Sequence, residues 1–347
     1  MKELTTIRNI LVFFSFIVVL FLLWLLQDLI VPLVLALFLA LLFQPLLAEF
    51  ERKKVPLWAG VSIIWISFMG GIFLLGVVIY KTGLSIFGEK EYLLNQVNIK
   101  LSGIIQWYNH FTGKELDLDA TVNNITSSIS SEFIMHNSGS IFGALGSVFE
   151  SFLLTAIYFA VILSGIMKYE NYLNYLGGTG QSARFIKAFE EVKTSVNSYM
   201  KVKMIISVVW GIAAFLVCKA FGLQFSFFWG FLAFVLNFLP VVGAIIGLVP
   251  VFIMGIIQFD HISTAIALNL TAYSIHFILA SVIEPFFMGH RTSLNTIVVI
   301  MGLLFWGFLW GIYGMFLSVP LMVLTKVILS QIEGAEVVTR LLGSQRQ

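Results

Sequence analysis

The sequence predicts an all-α integral membrane protein that combines six crossing helices with two re-entrant helical hairpins. Hydrophobic residues make up 59% of its 347 residues and charged residues only 11%, whereas charged residues are about 25% of a typical soluble domain. Two tracts, 220–259 and 292–325, contain no Asp, Glu, Lys or Arg over 40 and 34 residues. As straight helices they would be roughly 60 and 51 Å long, but the hydrocarbon core of a bilayer is about 30 Å thick. Each tract is therefore expected to fold back inside the membrane.

The remaining apolar segments predict the crossing helices, which are expected at 10–27, 29–48, 57–80, 151–167, 205–218 and 262–283. Only Gln27 and Asp28 separate the first two, which predicts a tight helical hairpin. Pro32 is expected in the first turn of the second helix, where proline is tolerated, and Gln44-Pro45 is expected to kink or end that helix. The N-terminal segment resembles a signal peptide, but no small-residue cleavage site follows, so a retained first span is expected.

The positive charges predict the orientation in the membrane. With both termini cytoplasmic, all but five of the 20 Lys and Arg residues lie on the cytoplasmic side or at its interface, the exceptions being at 81, 90, 100, 114 and 219. This is the bias expected of cytoplasmic loops. The hairpins then enter from opposite sides, each after one crossing, so 205–259 and 262–325 are expected to form an inverted-topology repeat. The alternative is eight straight spans with long, tilted sixth and eighth helices, which would put Arg291 outside.

Five regions follow from this arrangement. Residues 91–111 carry apolar side chains at helical spacing, and a weaker pattern covers 120–133, so the polar stretch between the third and fourth spans predicts a helical extracytoplasmic region. The predicted regions are three N-terminal spans (1–80), the extracytoplasmic region (81–150), a fourth span with a cytoplasmic helical loop (151–204), a unit containing both hairpins (205–330) and a cytoplasmic tail (331–347).

The first uncharged tract contains a predicted helix break with a polar group beside it. Pro240 removes a backbone donor and clashes with the preceding turn, which breaks a helix. Asn237 then places an amide beside the freed carbonyls, where it could contact a polar solute. Gly243 and Gly247 have the spacing that lets a second backbone approach closely. A kinked, tightly packed structural helix explains the same residues without a ligand.

The second uncharged tract contains a run of glycines and aromatic residues. Trp306, Gly307, Gly311, Tyr313 and Gly314 predict a bulky, flexible bend. Two interpretations are open. The bend is either a hairpin tip in an aromatic interfacial belt, or a gate or tip that lines the path of a substrate.

Glu284 is the only acidic residue between Asp260 and Glu333. Three roles are open for it: an ion pair with Arg291 at a helix end, a capping or interface contact, and a site for a coupling ion or proton. Ionisable groups within membrane spans are costly and tend to have a function. His276, in an apolar helix near Asn269, is interpreted as a helix-packing residue.

Several classes of protein are excluded by what the sequence lacks. It has no GxSxG, HExxH, CxxC or Walker lysine motif, so we expect neither an enzyme nor an ATP-driven pump. The single cysteine, Cys218, excludes an internal disulfide and a cysteine-rich metal site. No metal and no cofactor are expected. A net charge of +2 gives no indication of nucleic-acid binding.

Three motifs together carry a resemblance to a known family. They are LNFLP at 236–240 with Gly243, EPFFMG at 284–289, and FWG at 305–307 followed by GMFLSVPL at 314–321. In these motifs the chain resembles the autoinducer-2 exporter family, also called PerM-like permeases. The resemblance covers nearly the whole chain, is strongest over 225–325, and is weak in 81–150.

The resemblance implies a multi-pass permease of the bacterial or archaeal inner membrane, a homo-oligomer of five subunits, and elevator-like movement of a hairpin-containing transport unit. One branch of the family exports the quorum-sensing furanone autoinducer-2, and others resemble sodium or lithium/proton antiporters. The implied substrate-binding or gating residues are Asn237, Pro240, Gly243, Glu284, Pro285, Gly289, Trp306, Gly307, Gly311 and Gly314, with Glu284 and Arg291 as candidates for ion coupling.

Three functions therefore remain open. The first is a secondary exporter of a small polar molecule. The scarcity of carboxylates and the broken tract that contains Asn237 favour it. The second is a monovalent cation/proton antiporter, which needs a buried ionisable group such as Glu284. The third is a membrane scaffold or receptor that uses the 81–150 region.

Overall fold

The computed structural model describes residues 2–113, 150–165, 181–240, 242–288, 295–330 and 342, and this part of the chain contains helices and no strand. The predicted helix at 120–133 lies outside the described residues. The helices are α1 (Lys2–Leu25), α2 (Gln27–Arg52), α3 (Leu57–Gly88), α4 (Lys90–Thr112), α5 (Glu150–Gly165), α6 (Gln181–Ala220), α7 (Ser226–Leu236), α8 (Val242–Gln258), α9 (Ile262–Ile278), α10 (Glu284–Met288) and α11 (Thr296–Ser330).

Helices that could cross a bilayer are abundant in the described residues, as expected of a multi-pass membrane protein. Five are long and apolar enough, at Gln27–Arg52, Leu57–Ser85, Phe189–Ala220, Ile262–Met288 and Ile297–Ser330. The last of them is broken in the middle, at Trp310 and Gly311. This segment meets the length and composition expected of a span, but it is not a single straight helix.

The first two helices are divided near the predicted position, because the break falls at Leu26. Since α2 begins at Gln27, Pro32 lies in the second turn and not in the predicted first turn. The prediction that Gln44-Pro45 could end this helix is wrong, because α2 continues to Arg52. Buried neighbours on both sides of the proline, Leu41 and Leu47, hold the helix against the rest of the protein, and packing of this kind lets membrane helices tolerate proline.

Helix α6 is longer than the sequence predicted. The predicted boundary at 204/205, between a cytoplasmic loop and a span, lies inside this uninterrupted 40-residue helix. The predicted helical character of the loop is confirmed for its described part. Val196, Met200, Ser207 and Trp210 are all buried at helical spacing, so one packed face crosses the predicted boundary without a change.

The first uncharged tract folds into a hairpin of two helices, α7 and α8, hereafter the first hairpin. Its helices are interrupted after Leu236, and the predicted break at Pro240 is confirmed. The two ends of the tract meet, because Gln258 Nε2 donates to the Gly222 carbonyl at 2.7 Å and Gln258 Oε1 accepts from the Gln224 amide at 2.7 Å. The start and the end of the tract therefore lie side by side, as expected of a hairpin.

The second uncharged tract also folds back on itself. In α11 the backbone leaves the helical region at Trp310 (φ −127°, ψ 15°) and Gly311 (φ 60°, ψ −139°). A positive φ of this size favours glycine. The two arms, 296–309 and 312–330, then lie side by side, because a methyl group added at Gly307 would be 2.8 Å from Met315 Cγ. These arms are the second hairpin.

Helix α6 connects both hairpins to the rest of the protein through two buried clusters. One joins α6 to the first hairpin and α9 through Trp210, Trp229, Met254 and Leu268. The other joins α6 to α2 and the second hairpin through Tyr199, Phe38, Leu317 and Val319, among others. A third cluster, around Ala40, Ile64 and Phe159, joins α2, α3 and α5 and includes no hairpin residue.

Candidate functional site

The break of the first hairpin lies against the second hairpin. Phe238, just after α7, stacks on Phe316 in the second arm of the second hairpin, with ring centroids 4.9 Å apart and 24° between the planes. Phe238 is buried. Offset stacking at this distance is a favourable aromatic arrangement. The freed backbone of the first break therefore lies beside the second hairpin.

Asn237, the predicted solute contact, forms the centre of a buried polar cluster. Its Nδ2 donates to Ser207 Oγ at 2.9 Å, and its Oδ1 lies 3.3 Å from His276 Nε2. Because an amide oxygen only accepts hydrogen bonds, the proton of the imidazole is on Nε2 in this arrangement. The His276 ring also meets the Trp210 ring edge to face at 4.9 Å. Two helices, α6 and α9, and one hairpin break thus bring their polar groups to one point.

His276 has a different neighbour from the one that the sequence suggested. Asn269 donates to the Ala265 carbonyl of its own helix at 3.3 Å, whereas His276 contacts the first hairpin. The two residues are seven positions apart in α9, about two turns, so both lie on one side of the helix but at different depths. The packing role predicted for His276 is therefore joined by a polar contact to the candidate site.

Pro240 and Gly243 shape the break itself. A Cβ atom at Gly243 would overlap the carbonyl group of Leu236, so the start of α8 touches the end of α7 directly. Gly247 makes only an ordinary contact, since a methyl group there would be 3.6 Å from Leu236 Cδ1. The predicted close approach through both glycines is confirmed at Gly243 alone, and its partner is the preceding arm of the same hairpin.

Glu284 forms a buried ion pair with a residue that the sequence placed in a cytoplasmic loop. Lys203 Nζ lies 2.8 Å from Glu284 Oε1 and 3.1 Å from Oε2, and the two side chains are 7% and 14% exposed. The predicted partner Arg291, like Gly289, lies outside the described residues. Pro285, the other residue of this motif on the candidate list, is exposed.

The backbone before Glu284 is irregular. A π-helical turn, Leu279–Ile283, separates α9 from α10. Such turns insert one extra residue and are frequent at functional sites. The extra residue changes the direction of every side chain that follows. It therefore contributes to aiming Glu284 at α6.

Sequence reasoning missed the polar stripe of α6. Ser195, Tyr199, Lys203 and Ser207 follow one another at intervals of four residues, and all four are buried. Residues at this spacing share one face of a helix, so the stripe extends for about 18 Å. The signal was present in the sequence, because Lys203 continues the apolar periodicity of Val192 and Val196. Lysines are more frequent in cytoplasmic loops than on buried helix faces, so the sequence alone assigned Lys203 to the loop.

The tip of the second hairpin is anchored to the end of α1. Trp310 Nε1 donates to the Leu23 carbonyl at 3.0 Å, and the Trp306 and Trp310 rings lie 5.0 Å apart. A cavity of about 330 Å³ lies beside this tip. Its lining residues include Gln27, Asp28, Ser151, Trp310, Gly311 and Tyr313.

The remaining predicted glycines of this tract have structural roles. A Cβ atom at Gly314 would overlap the carbonyl group of Trp306, and Gly307 touches Met315. They let the arms approach each other, as Gly243 does in the first hairpin. Among the described residues, no three His, Cys, Asp or Glu side chains are grouped so that they could hold a metal ion.

Comparison with known proteins shows the family of this chain. The family model described as "AI-2E family transporter" matches residues 13–334. A protein named "Putative transport protein" from Haemophilus influenzae is 27% identical over 306 residues, 87% of this chain and 86% of its own. "AI-2 transport protein TqsA" from Escherichia coli K12 is 26% identical over 317 residues, 91% and 90% of the two chains. "Putative transport protein YrrI" from Bacillus subtilis is 23% identical over 316 residues, 88% and 87%. The chain belongs to the AI-2E family of membrane transporters.

Proposed function

We propose that this protein is a secondary transporter that exports a small, uncharged polar molecule, with the break of the first hairpin as part of the solute site. The observation that carries the proposal is the cluster of Asn237, Ser207 and His276. It lies where a helix is interrupted and where the two hairpins touch. Interrupted helices at membrane depth offer free backbone groups to a solute. An amide, a hydroxyl and an imidazole can each exchange an internal hydrogen bond for one to a solute.

The charges around the cluster favour an uncharged solute. Lys203 and Glu284 neutralise each other in a direct ion pair. A charged solute would leave water for a region without a free opposite charge among the described residues, at a high cost. A furanone such as autoinducer-2 fits this requirement, and one relative of this chain is named an AI-2 transport protein.

The proposed topology is six crossings and two re-entrant hairpins, with both termini in the cytoplasm. Two contacts support it. Lys100 Nζ donates to the Phe259 and Asp260 carbonyls at 2.8 and 3.1 Å, which joins α4 to the base of the first hairpin on the proposed outer side. The Asn295 amide donates to the Leu342 carbonyl at 3.3 Å, which joins the C-terminal tail to the base of the second hairpin on the proposed inner side.

The proposed mechanism is an elevator-like movement of a unit that contains α6, both hairpins and an inverted repeat. Because α6 is uninterrupted, this unit would include the whole helix and would not begin at the predicted boundary of 205. Helices α2, α3 and α5 share a buried cluster of their own and could stay fixed as a group. The hairpins would then slide along the surface where α2 packs against the second hairpin. The fixed helices would also carry the contacts between subunits of a homopentamer in the bacterial or archaeal cytoplasmic membrane. Many apolar side chains of α1 and α3 are exposed and would face lipid or a second subunit.

Solute flux in proteoliposomes tests the function. Purified protein is reconstituted, and uptake of isotope-labelled autoinducer-2 furanone is measured against solute concentration. We expect saturable flux, reduced about 10-fold or more in Asn237→Leu, because the loss of one or two buried hydrogen bonds to the solute weakens binding by that order.

The matched control is Asn269→Leu, which makes the same substitution at a side chain whose hydrogen bond, among the described residues, stays within its own helix. It should retain the flux of the unaltered protein. Each variant must elute as the unaltered protein does in size-exclusion chromatography. Flux that does not saturate, or equal flux with Asn237→Leu and the unaltered protein, would show that the cluster is not a solute site.

A further inference from the structure

Glu284 has both carboxylate oxygens bound by a single ammonium group. Lys203 Nζ is within hydrogen-bond distance of Oε1 and Oε2, at 2.8 and 3.1 Å. Both side chains are largely removed from solvent. The two partners come from different helices, α6 and α10. The contact is therefore a feature of the tertiary fold and does not arise between neighbours in sequence.

The described surroundings of the pair contain no second carboxylate in contact with it. Tyr199, one turn before Lys203 on α6, interacts electrostatically with Glu284. His276, two turns before Glu284 in the same transmembrane segment, interacts electrostatically with Lys203 and contacts Asn237. Lys203 is thus the cation that balances the charge of Glu284 in this part of the chain.

A buried carboxylate of this kind could otherwise hold a small metal cation. Alkali and alkaline-earth cations are hard and prefer oxygen ligands such as carboxylates. A lysine ammonium carries the same single charge as Na⁺ and is a compact group with three donors. Because the ammonium is already held on α6, it pairs with Glu284 without losing the translational freedom that a dissolved cation gives up on binding. A metal cation would have to displace it or be repelled by it.

We propose that Lys203 is a built-in counter-ion that closes the Glu284 site to monovalent metal cations. The proposed export is therefore not coupled to Na⁺ or Li⁺ at Glu284. Removing the ammonium creates a monovalent-cation site there. This inference deepens the proposed transport function and rests on it for its physiological meaning. Cation binding is measured without any transported solute. A negative result in the cation test therefore does not depend on whether the proposed export function is correct, and the reverse also holds.

The test measures cation-dependent thermal stability of the purified protein in detergent. Unfolding temperatures are recorded in NaCl and LiCl series, with N-methyl-D-glucamine chloride at equal ionic strength as the reference. A ligand that binds only the folded state raises the unfolding temperature with its concentration. We expect no Na⁺-specific or Li⁺-specific shift in the unaltered protein. Lys203→Met should show a rise of about 5 °C at a Na⁺ concentration about 100-fold above its Kd.

Two variants serve as controls. Lys203→Met/Glu284→Gln should lose the Na⁺ dependence, because the carboxylate is gone, and Lys203→Arg should stay insensitive, because it keeps a cation at the site. If Lys203→Met does not fold in N-methyl-D-glucamine, recovery of folded protein by Na⁺ during purification replaces the melting curve. In that case the double variant must show no recovery.

Two outcomes would overturn the proposal. The first is a saturable Na⁺ or Li⁺ shift in the unaltered protein that disappears in Glu284→Gln, since the site would then be open. The second is a Lys203→Met protein without any cation-specific stabilisation or recovery, since the ammonium would then not be standing in for a metal ion. Furanone flux measured on the same preparations does not enter either comparison.

Discussion

Phe238 in the first hairpin and Phe316 in the second stack ring on ring, with centroids 4.9 Å apart. The two residues come from the two uncharged tracts. Phe238 lies in the first break, and Phe316 lies in the second arm of the second hairpin, five residues after Gly311. A movement of one hairpin against the other would separate these rings and expose the buried Phe238. The contact therefore favours a mechanism in which the two hairpins move together as one unit.

Cross-linking tests this coupling. In a Cys218→Ala background, we expect Phe238→Cys and Phe316→Cys to be joined by a short bifunctional methanethiosulfonate reagent, because the replaced rings are in contact. If the hairpins move as one unit, the cross-linked protein should keep at least half of its furanone flux in proteoliposomes. Each single-cysteine variant, treated with the same reagent, controls for modification alone. A loss of flux that is confined to the double variant and reversed by a reductant would show that the hairpins must separate.

Two glycines are predicted to be essential for closing the hairpins. A methyl group at Gly243 or Gly314 would overlap a backbone carbonyl of the opposite arm, and overpacking of this kind costs about 1–3 kcal/mol or more. We expect Gly243→Ala and Gly314→Ala to lower the unfolding temperature measured in detergent by several degrees.

The matched control for the glycines is Gly76→Ala in α3, where an added Cβ would have no neighbour within 4 Å. Alanine favours a helix over glycine by about 0.5–1 kcal/mol, so this variant should be as stable as the unaltered protein or slightly more stable. Equal effects at Gly76 and Gly243 would show that helix propensity, and not contact between the arms, determines the result.

The sequence predicted the features of the fold that depend on local chemistry. Pro240 and Gly311 mark the two breaks because proline and glycine act on their own backbone, and charge-free length alone showed that both tracts must bend. The helix at 91–111 followed from its periodicity. The inverted repeat, the number of crossings and the membrane orientation stay predictions.

The tertiary partners of the site could not be predicted in the same way. Nothing local to Glu284 indicates Lys203, which lies 81 positions away in sequence, and Arg291 was the nearest cation to consider. Likewise Asn237 was identified as a polar group in a costly position, but Ser207 and His276 became its partners only through helix packing. A lysine that continues the helical periodicity of Val192 and Val196 is the signal that could have shown the pair.

Gln258 is predicted to hold the base of the first hairpin together. Its side chain bonds both the Gly222 carbonyl and the Gln224 amide. Gln258→Met keeps a similar shape but leaves both backbone groups without this partner, at a cost of about 1–2 kcal/mol given their partial exposure. We expect a lower unfolding temperature and faster hydrogen exchange at the Gln224 amide, measured by mass spectrometry.

Gln224→Met is the control at the same place. The side-chain Oε1 of Gln224 is buried without a hydrogen-bond partner among the described residues, so its removal should be neutral or slightly stabilising. The backbone amide of residue 224, which is the group that Gln258 binds, is unchanged by this substitution. Destabilisation by Gln224→Met as large as that by Gln258→Met would indicate a general sensitivity of the hairpin base.

The Lys203–Glu284 pair is predicted to matter far more to stability when it is broken than when it is removed. Loss of one partner of a buried ion pair leaves an uncompensated charge and costs about 3–5 kcal/mol, whereas replacing both partners is often neutral. In N-methyl-D-glucamine chloride, where no metal ion can compensate, Lys203→Met and Glu284→Gln should each unfold at a clearly lower temperature than Lys203→Met/Glu284→Gln. Lys53→Met is the control, because its 4.0 Å contact with Glu49 is exposed and worth about 1 kcal/mol or less. Additive losses in the double variant would mean that the two side chains contribute to stability independently, in spite of the 2.8 Å between them.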